Sequence, residues 1–252
     1  MKNKNFTLSR IMQMMKSFIV FILLMFIVTG CGENQAASFS SISSIPAIFA
    51  DLAFDQTQSF IKHRRLDTNF VAAVCRPVTI TGGLIVVHGI GESTDQSGLR
   101  CYLKSVPIMN ADLVLSKQAE LKQEINAITA ENEKQIHQFL KKVQEQIFAP
   151  MNDQQKKVVN TDLNGFFKKV SVLLDEPEIQ NMTKYVFVYS DGIQSFNGKD
   201  SPASFRFKPK SKFILCLAGW KTKHPCDSIE IKEFEDPIGF IQYLSSNNSF
   251  NH

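Results

Sequence analysis

The sequence predicts an α/β domain: a doubly wound, mostly parallel sheet with helices on both faces, one antiparallel edge strand and one long helix. Three observations carry this expectation. Short apolar runs alternate with longer stretches of helical period, the signature of strand–helix–strand units. Two of the apolar runs are separated only by a polar turn, which makes a hairpin rather than a crossover. A third stretch keeps a helical pattern over nearly forty residues with no Gly or Pro inside it.

The first strand is expected over residues 47–55, where Leu52-Ala53-Phe54 closes an apolar run that reads as buried on both faces. A helix follows over about 59–74. The second strand is placed at 83–88 and the third at 99–106, joined by a turn through 91–98 that holds Glu92, Ser93, Thr94, Asp95 and Gln96. The long helix spans about 111–148. Its apolar positions Leu113, Leu121, Ile125, Ile128, Ile136, Phe139, Leu140, Val143 and Ile147 recur at threes and fours among Lys, Glu, Gln and Asn. It is expected to pack on the sheet with a projecting, solvated end. After Thr161, Phe166, Phe167, Val170, Leu173 and Leu174 form the buried stripe of the next helix. A strand to Tyr189 follows, then a loop over 191–212 carrying Pro202 and Pro209, a strand at 213–217 and a last helix at 236–244.

Three polar fragments then stand at strand ends or in loops beside them: Asp55-Gln56-Thr57-Gln58-Ser59, Thr161-Asp162-Leu163-Asn164-Gly165 and Ser190-Asp191-Gly192. In an open α/β sheet, ligands bind beyond the carboxyl ends of the strands. Asp55, Thr57, Ser59, Thr161 and Asp191 offer only hard oxygens. That donor set suits Mg²⁺, Mn²⁺ or Ca²⁺ and disfavours Zn²⁺ and copper. The plainer reading of such residues is helix capping, by Thr57 or Ser59 for the first helix and by Thr161 or Asp162 for the later one. Capping alone does not call for Asp55 in line with Thr57 and Ser59, nor for Asp191-Gly192 closing another strand.

Taken together, the three fragments resemble the von Willebrand factor A-type domains, whose metal-ion-dependent adhesion site is built from Asp-x-Ser/Thr-x-Ser, a distant Thr and a later Asp-Gly after a strand. The resemblance covers roughly residues 45–245 and implies the antiparallel edge formed by the second and third strands. It further implies that Thr57, Ser59 and Thr161 put hydroxyls on an Mg²⁺ or Mn²⁺ ion, while Asp55 and Asp191 support it mainly through water. A cation held this way accepts a carboxylate from a partner protein. Thr57 stands where Ser is commoner in the family and keeps the hydroxyl.

The N-terminus is read before the fold because it carries an address. Lys2, Lys4, Arg10 and Lys16 precede an apolar core over 17–28, shorter than the ~20 residues a helix needs to span a bilayer. Val28-Thr29-Gly30-Cys31 resembles the lipobox of bacterial lipoproteins, which implies removal of residues 1–30 and lipid on Cys31. Residues 31–46 are rich in Ser, Asn, Gln and Ala and read as a flexible tether, leaving 47–252 as one domain. Removal of 1–30 takes four of the 28 Lys and Arg and leaves 24 against 24 acidic residues. No basic field then remains to attract nucleic acid. The expected location is a bacterial cell envelope, with the chain lipid-anchored to the membrane and periplasmic or surface-exposed.

Outside the cytoplasm Cys75, Cys101, Cys216 and Cys226 are free to pair, and four cysteines allow three connectivities. Cys75 and Cys101 flank the expected hairpin and could meet, whereas Cys216 inside Phe213-Ile214-Leu215-Cys216-Leu217 reads as a buried thiol. No Cys-x-x-Cys or Cys/His cluster suggests structural zinc. Val86-Val87-His88-Gly89-Ile90-Gly91 resembles the oxyanion-hole strand of α/β-hydrolases, but no Gly-x-Ser-x-Gly elbow accompanies it. His88 is expected at a strand end near the hairpin. The function expected is therefore cation-dependent binding of a protein without chemistry. The alternatives are a structural subunit of an envelope or secretion assembly, and a metal-assisted hydrolase, which lacks a general base beside the five residues.

Overall fold

A computed structural model describes residues 46–57, 60, 67–91, 98–109, 114–152, 160–196, 199–207, 212–226 and 229–247. The expectations for residues 1–30, for Cys31 and for most of the tether lie outside the described residues. Strand β1, Ile48–Asp55, is the middle of the fold: all eight of its residues are buried, as its unbroken apolar run requires. It pairs in parallel with β2, Gly83–Ile90, on one side and with β4, Thr183–Tyr189, on the other. Strand β3, Leu99–Leu103, lies antiparallel on β2 and ends the sheet there. Beyond β4 come β7, Ile214–Ala218, and β8, Glu230–Phe234, both parallel. The order β3-β2-β1-β4-β7-β8 winds outward in two directions from β1, so the doubly wound sheet with an antiparallel edge is present as expected.

Alternation along the strands sends side chains to two apolar layers. Helices α1 (Thr68–Thr81), α2 (Leu115–Val143) and α5 (Pro237–Asn247) cover one face. There Phe54, Phe70, Phe187 and Phe240 pack ring on ring, with Phe187 and Phe240 stacked at 4.6 Å. Helix α4, Leu163–Leu173, covers the other face through Phe166, Phe167 and Val170, against Phe49, Ala53, Val186 and Val188. Among the described residues no helix is long and apolar enough to cross a membrane.

Four elements differ from expectation. Helix α1 runs past Val74 to Thr81, through a buried Pro77; Asp67 opens it by accepting a hydrogen bond from the Asn69 N–H at 2.9 Å. Proline removes one ladder donor, but Phe70, Val71, Val74 and Val78 bury a continuous stripe that outweighs it. Helix α2 does not end as a simple α-helix: it widens into a π-turn, Gln144–Phe148, and tightens again as α3, Ala149–Asn152. Its first half is largely exposed, as a solvated end requires, while Phe139, Val143, Ile147 and Phe148 are buried. The segment expected as a loop after Asp191 contains a small hairpin of β5, Ile193–Phe196, and β6, Lys199–Pro202. Finally β8 is a strand that the sequence reading did not include. Cys75, Cys101 and Cys216 are free, buried thiols, and Cys226 is buried as well.

Candidate metal centre

Asp55 is the last residue of β1 and is 1% exposed. Its carboxylate is the point on which the neighbouring segments converge. Oδ1 accepts hydrogen bonds from the Thr57 N–H at 2.9 Å and from Thr57 Oγ1 at 2.7 Å, and Thr161 Oγ1 approaches it at 3.5 Å. Oδ2 accepts from Ser190 Oγ at 2.7 Å. The chain thus turns after β1 in an Asx-type bend that points the Thr57 hydroxyl back toward the strand end. The Thr57 hydroxyl is directed to Asp55, and α1 is capped by Asp67. Ser59 lies outside the described residues.

Thr161 is brought in by the unexpected hairpin. Its backbone exchanges hydrogen bonds with Ser195 on β5, 3.1 and 3.2 Å, as an isolated antiparallel bridge. The next residue, Asp162, caps α4 by accepting from the Gly165 N–H at 2.8 Å, and its own N–H donates to the Gly91 carbonyl. A Cβ at position 165 would fall on the Asp162 carboxylate, so glycine is what lets this cap close. Capping and site formation are therefore divided between neighbours, Asp162 for the helix and Thr161 for the site.

Asp191 follows β4. Its Oδ1 accepts from the Ile193 N–H at 3.0 Å, and Ser190 Oγ accepts from the Gly192 N–H at 3.2 Å. Gly192 has φ of +80°, which an L side chain rarely adopts, and Trp220 packs where its Cβ would be. Ser190, fully buried, is the member of the cluster to which sequence reasoning gave no role. Its signal was its place between a buried strand and Asp191-Gly192.

Electrostatically the cluster is unbalanced. Burial pushes the Asp55 carboxyl above its usual value of 3.8; hydrogen bonds from Thr57 and Ser190 pull it back in part, and the charge of Asp191 raises it again. Among the described residues no ion pair involves Asp55 or Asp191. Nor do the described residues hold any group of three or more His, Cys, Asp or Glu able to bind a metal. The donor set is two carboxylates plus hydroxyls. Such a set fits a hard divalent cation that keeps part of its water, and the deficit of positive charge is what a cation would relieve.

His88 lies two residues before the end of β2, close to Gly98 where the hairpin returns. It sits within β2, in register with Ala53, and is buried beside Asp51 and the ring of Phe166.

No protein-family model matches this sequence, and no curated protein matches it. Among solved structures, the chain is similar to a von Willebrand factor type A protein from Catenulispora acidiphila, with 10% identity and a TM-score of 0.35 over 81% of this chain and 42% of that one. It is also similar to the pilus adhesin SpaC from Lactobacillus rhamnosus GG in its open conformation, with 10% identity and a TM-score of 0.36 over 82% of this chain and 30% of that one. The chain thus spans less than half the length of either structure. At such identity and overlap the likeness extends to no ligand and to no activity.

Proposed function

We propose that this chain is a binding protein that holds a divalent cation, Mg²⁺ or Mn²⁺, at Asp55, Thr57, Thr161 and Asp191, with Ser59 completing the set. In this reading it offers the cation to a carboxylate of a partner protein. The observation that supports the reading best is the buried Asp55 carboxylate, met by hydroxyls from three separate segments beside a second acid, neither of them in an ion pair among the described residues. Bound there, the cation would supply a Lewis-acidic position for an incoming carboxylate oxygen. The residues do the rest. Thr57 and Thr161 turn hydroxyl oxygens toward the strand end, Ser190 fixes the second oxygen of Asp55, and Asp191 keeps a negative charge nearby. Because few acids take part, the cation would retain charge for a partner to neutralise.

We further propose that the domain acts at a bacterial envelope, tethered by lipid on Cys31. The order of basic, apolar and small residues before that cysteine supports this. An intact-mass measurement of membrane-extracted protein should find Cys31 modified and residues 1–30 gone.

Thermal unfolding with and without Mn²⁺ tests the site. A ligand at a hundredfold excess over Kd stabilises the folded state by about 2.7 kcal/mol. For a domain of this size that corresponds to roughly 5–10 °C in Tm. Asp55→Ala and Thr161→Ala should each abolish the shift while circular dichroism stays native; an undiminished shift in both would mean these residues only shape the loops. Partner capture from envelope extract in Mg²⁺ and in EDTA, at a temperature where both forms are folded, separates adhesion from a merely structural ion. Equal capture in the two solutions would rule out adhesion through the metal.

A further inference from the structure

Next to the Asp191 loop, at the carboxyl ends of β7 and β8, the surface opens into a cavity of about 410 Å³. Leu217, Trp220 and Phe234 give it apolar walls, and Lys221, Glu233 and Glu235 stand around them. The Trp220 ring is fixed rather than loose. Its indole Nε1–H donates to the Lys223 carbonyl at 3.1 Å, and the bond shared by its two rings lies against Gly192. The cavity is also tied to the candidate metal centre, because the Lys221 N–H donates to the Asp191 carbonyl at 3.0 Å.

The charges around the cavity are unequal, with two carboxylates against one ammonium. Glu233 is engaged by His224, whose Nε2 lies 2.7 Å from Oε1. Glu235 is exposed and forms no ion pair among the described residues. The neighbouring Asp236 accepts from the Ile238 and Gly239 N–H groups at the start of α5, so its charge is committed there. A long basic side chain satisfies both parts of this lining. Its methylenes and cationic head can lie on the indole face, where the ring quadrupole attracts positive charge. Its hydrogen-bond donors then reach the carboxylates. An acidic side chain would meet Glu233 and Glu235 with like charge, and a purely apolar one would leave Glu235 uncompensated.

We propose that this cavity is a subsite for an arginine or lysine side chain of the partner protein, seated on Trp220 and paired with Glu235, beside the position that takes the partner's carboxylate. The partner's recognised surface would then carry a basic residue close to an acidic one. This rests on the cation-dependent binding proposed above, but the cavity can be tested without any metal.

Trp220 is the single tryptophan of the chain, so tryptophan emission reports on the surroundings of this ring. The folded protein would be titrated in EDTA, and again in Mg²⁺, with acetyl-arginine amide and with acetyl-norleucine amide as an uncharged control. The arginine probe should perturb Trp220 in both solutions, with a Kd in the millimolar range for so small a ligand. Norleucine amide should bind more weakly. Glu235→Gln should weaken the arginine probe about two- to fivefold, as loss of one exposed charge contact implies. Glu235 is exposed, so this variant keeps its fold, which circular dichroism checks. Three results overturn the proposal: no response to the arginine probe, an equal response to norleucine amide, or unchanged affinity in Glu235→Gln. Failure of the metal reading would look different, as a Tm insensitive to Mn²⁺ while the arginine titration in EDTA succeeds.

Discussion

His88 Nε2 lies 3.1 Å from Asp51 Oδ1 across the parallel pairing of β2 with β1, and both side chains are shut away from water. The approach does not have hydrogen-bond geometry, and among the described residues neither Asp51 oxygen nor His88 Nε2 finds another hydrogen-bond partner. Around them are Phe166 and the apolar layer beneath α4. This is a polar pair in a place that apolar side chains could fill. Breaking such a pair leaves an unmatched buried group and costs about 3–5 kcal/mol, whereas replacing both members is often neutral or stabilising. His88→Leu alone is therefore expected to lower stability strongly in urea unfolding, and the double variant Asp51→Leu with His88→Leu to recover most or all of it. Additive losses in the double-mutant cycle would show that the two side chains do not act as a pair.

The second prediction concerns pH. The Asp55 carboxyl is raised above 3.8 in the fold, chiefly by burial, so the folded state binds its proton more tightly than the unfolded chain does. The ionised form thus costs stability, with the cost growing as pH rises from 3.8 to the raised value and complete above it. In EDTA, wild type should lose Tm relative to Asp55→Asn as pH rises from about 4 toward neutral. A difference that stays flat over that window would contradict the assignment.

Ser190 gives a third. Its hydroxyl donates to Asp55 Oδ2 and accepts from the Gly192 N–H, so it joins the end of β1 to the loop after β4. Ser190→Ala leaves a buried carboxylate oxygen short of a donor, at an expected cost of about 1–3 kcal/mol. Chemical denaturation without cation measures this directly. The same variant should also weaken Mn²⁺ stabilisation, because Asp55 is then less firmly held.

The thiols supply the fourth. Burial pushes Cys75 up to about 12, with Cys101 nearby adding to it, and pushes Cys101 up to about 11; Cys216 is raised further still by burial. Since the thiolate is the reactive species, these three should resist a disulfide reagent at pH 8 in the folded protein and react promptly in guanidinium. Fast reaction of Cys75 or Cys101 under native conditions would mean that the α1–β3 contact opens easily.

The legible parts of this fold were those where burial is two-sided. Strands β1, β2, β4 and β7 are nearly all apolar, so their identity survives without tertiary information. Strand β8 was not legible, because an edge strand need bury little and Glu230-Ile231-Lys232-Glu233-Phe234 carries three charges. The β5–β6 hairpin was hidden for a similar reason: it is four residues a side, polar, and held by its bridge to Thr161 and by side-chain bonds such as Ser195 Oγ to Asp200. In the site, the residue order pointed to Asp55, Thr57 and Thr161 as neighbours, and their hydroxyl and carboxylate groups do converge. The role of Ser190 and the meeting of Asp51 with His88 depend on register between distant strands, which no local pattern encodes.

The π-turn at the end of α2 has a mechanical consequence. There the Ile147 carbonyl accepts a hydrogen bond from Gln56 Nε2 at 3.2 Å, and the Phe148 ring packs on Phe54 at a centroid distance of 5.2 Å. Gln56 lies between Asp55 and Thr57, so the long helix grips the loop at its middle. The end of the helix is thus joined to the loop by one amide, and to the end of β1 by one pair of rings. The position of the helix end and the course of the loop between Asp55 and Thr57 are therefore fixed against each other by this single amide contact.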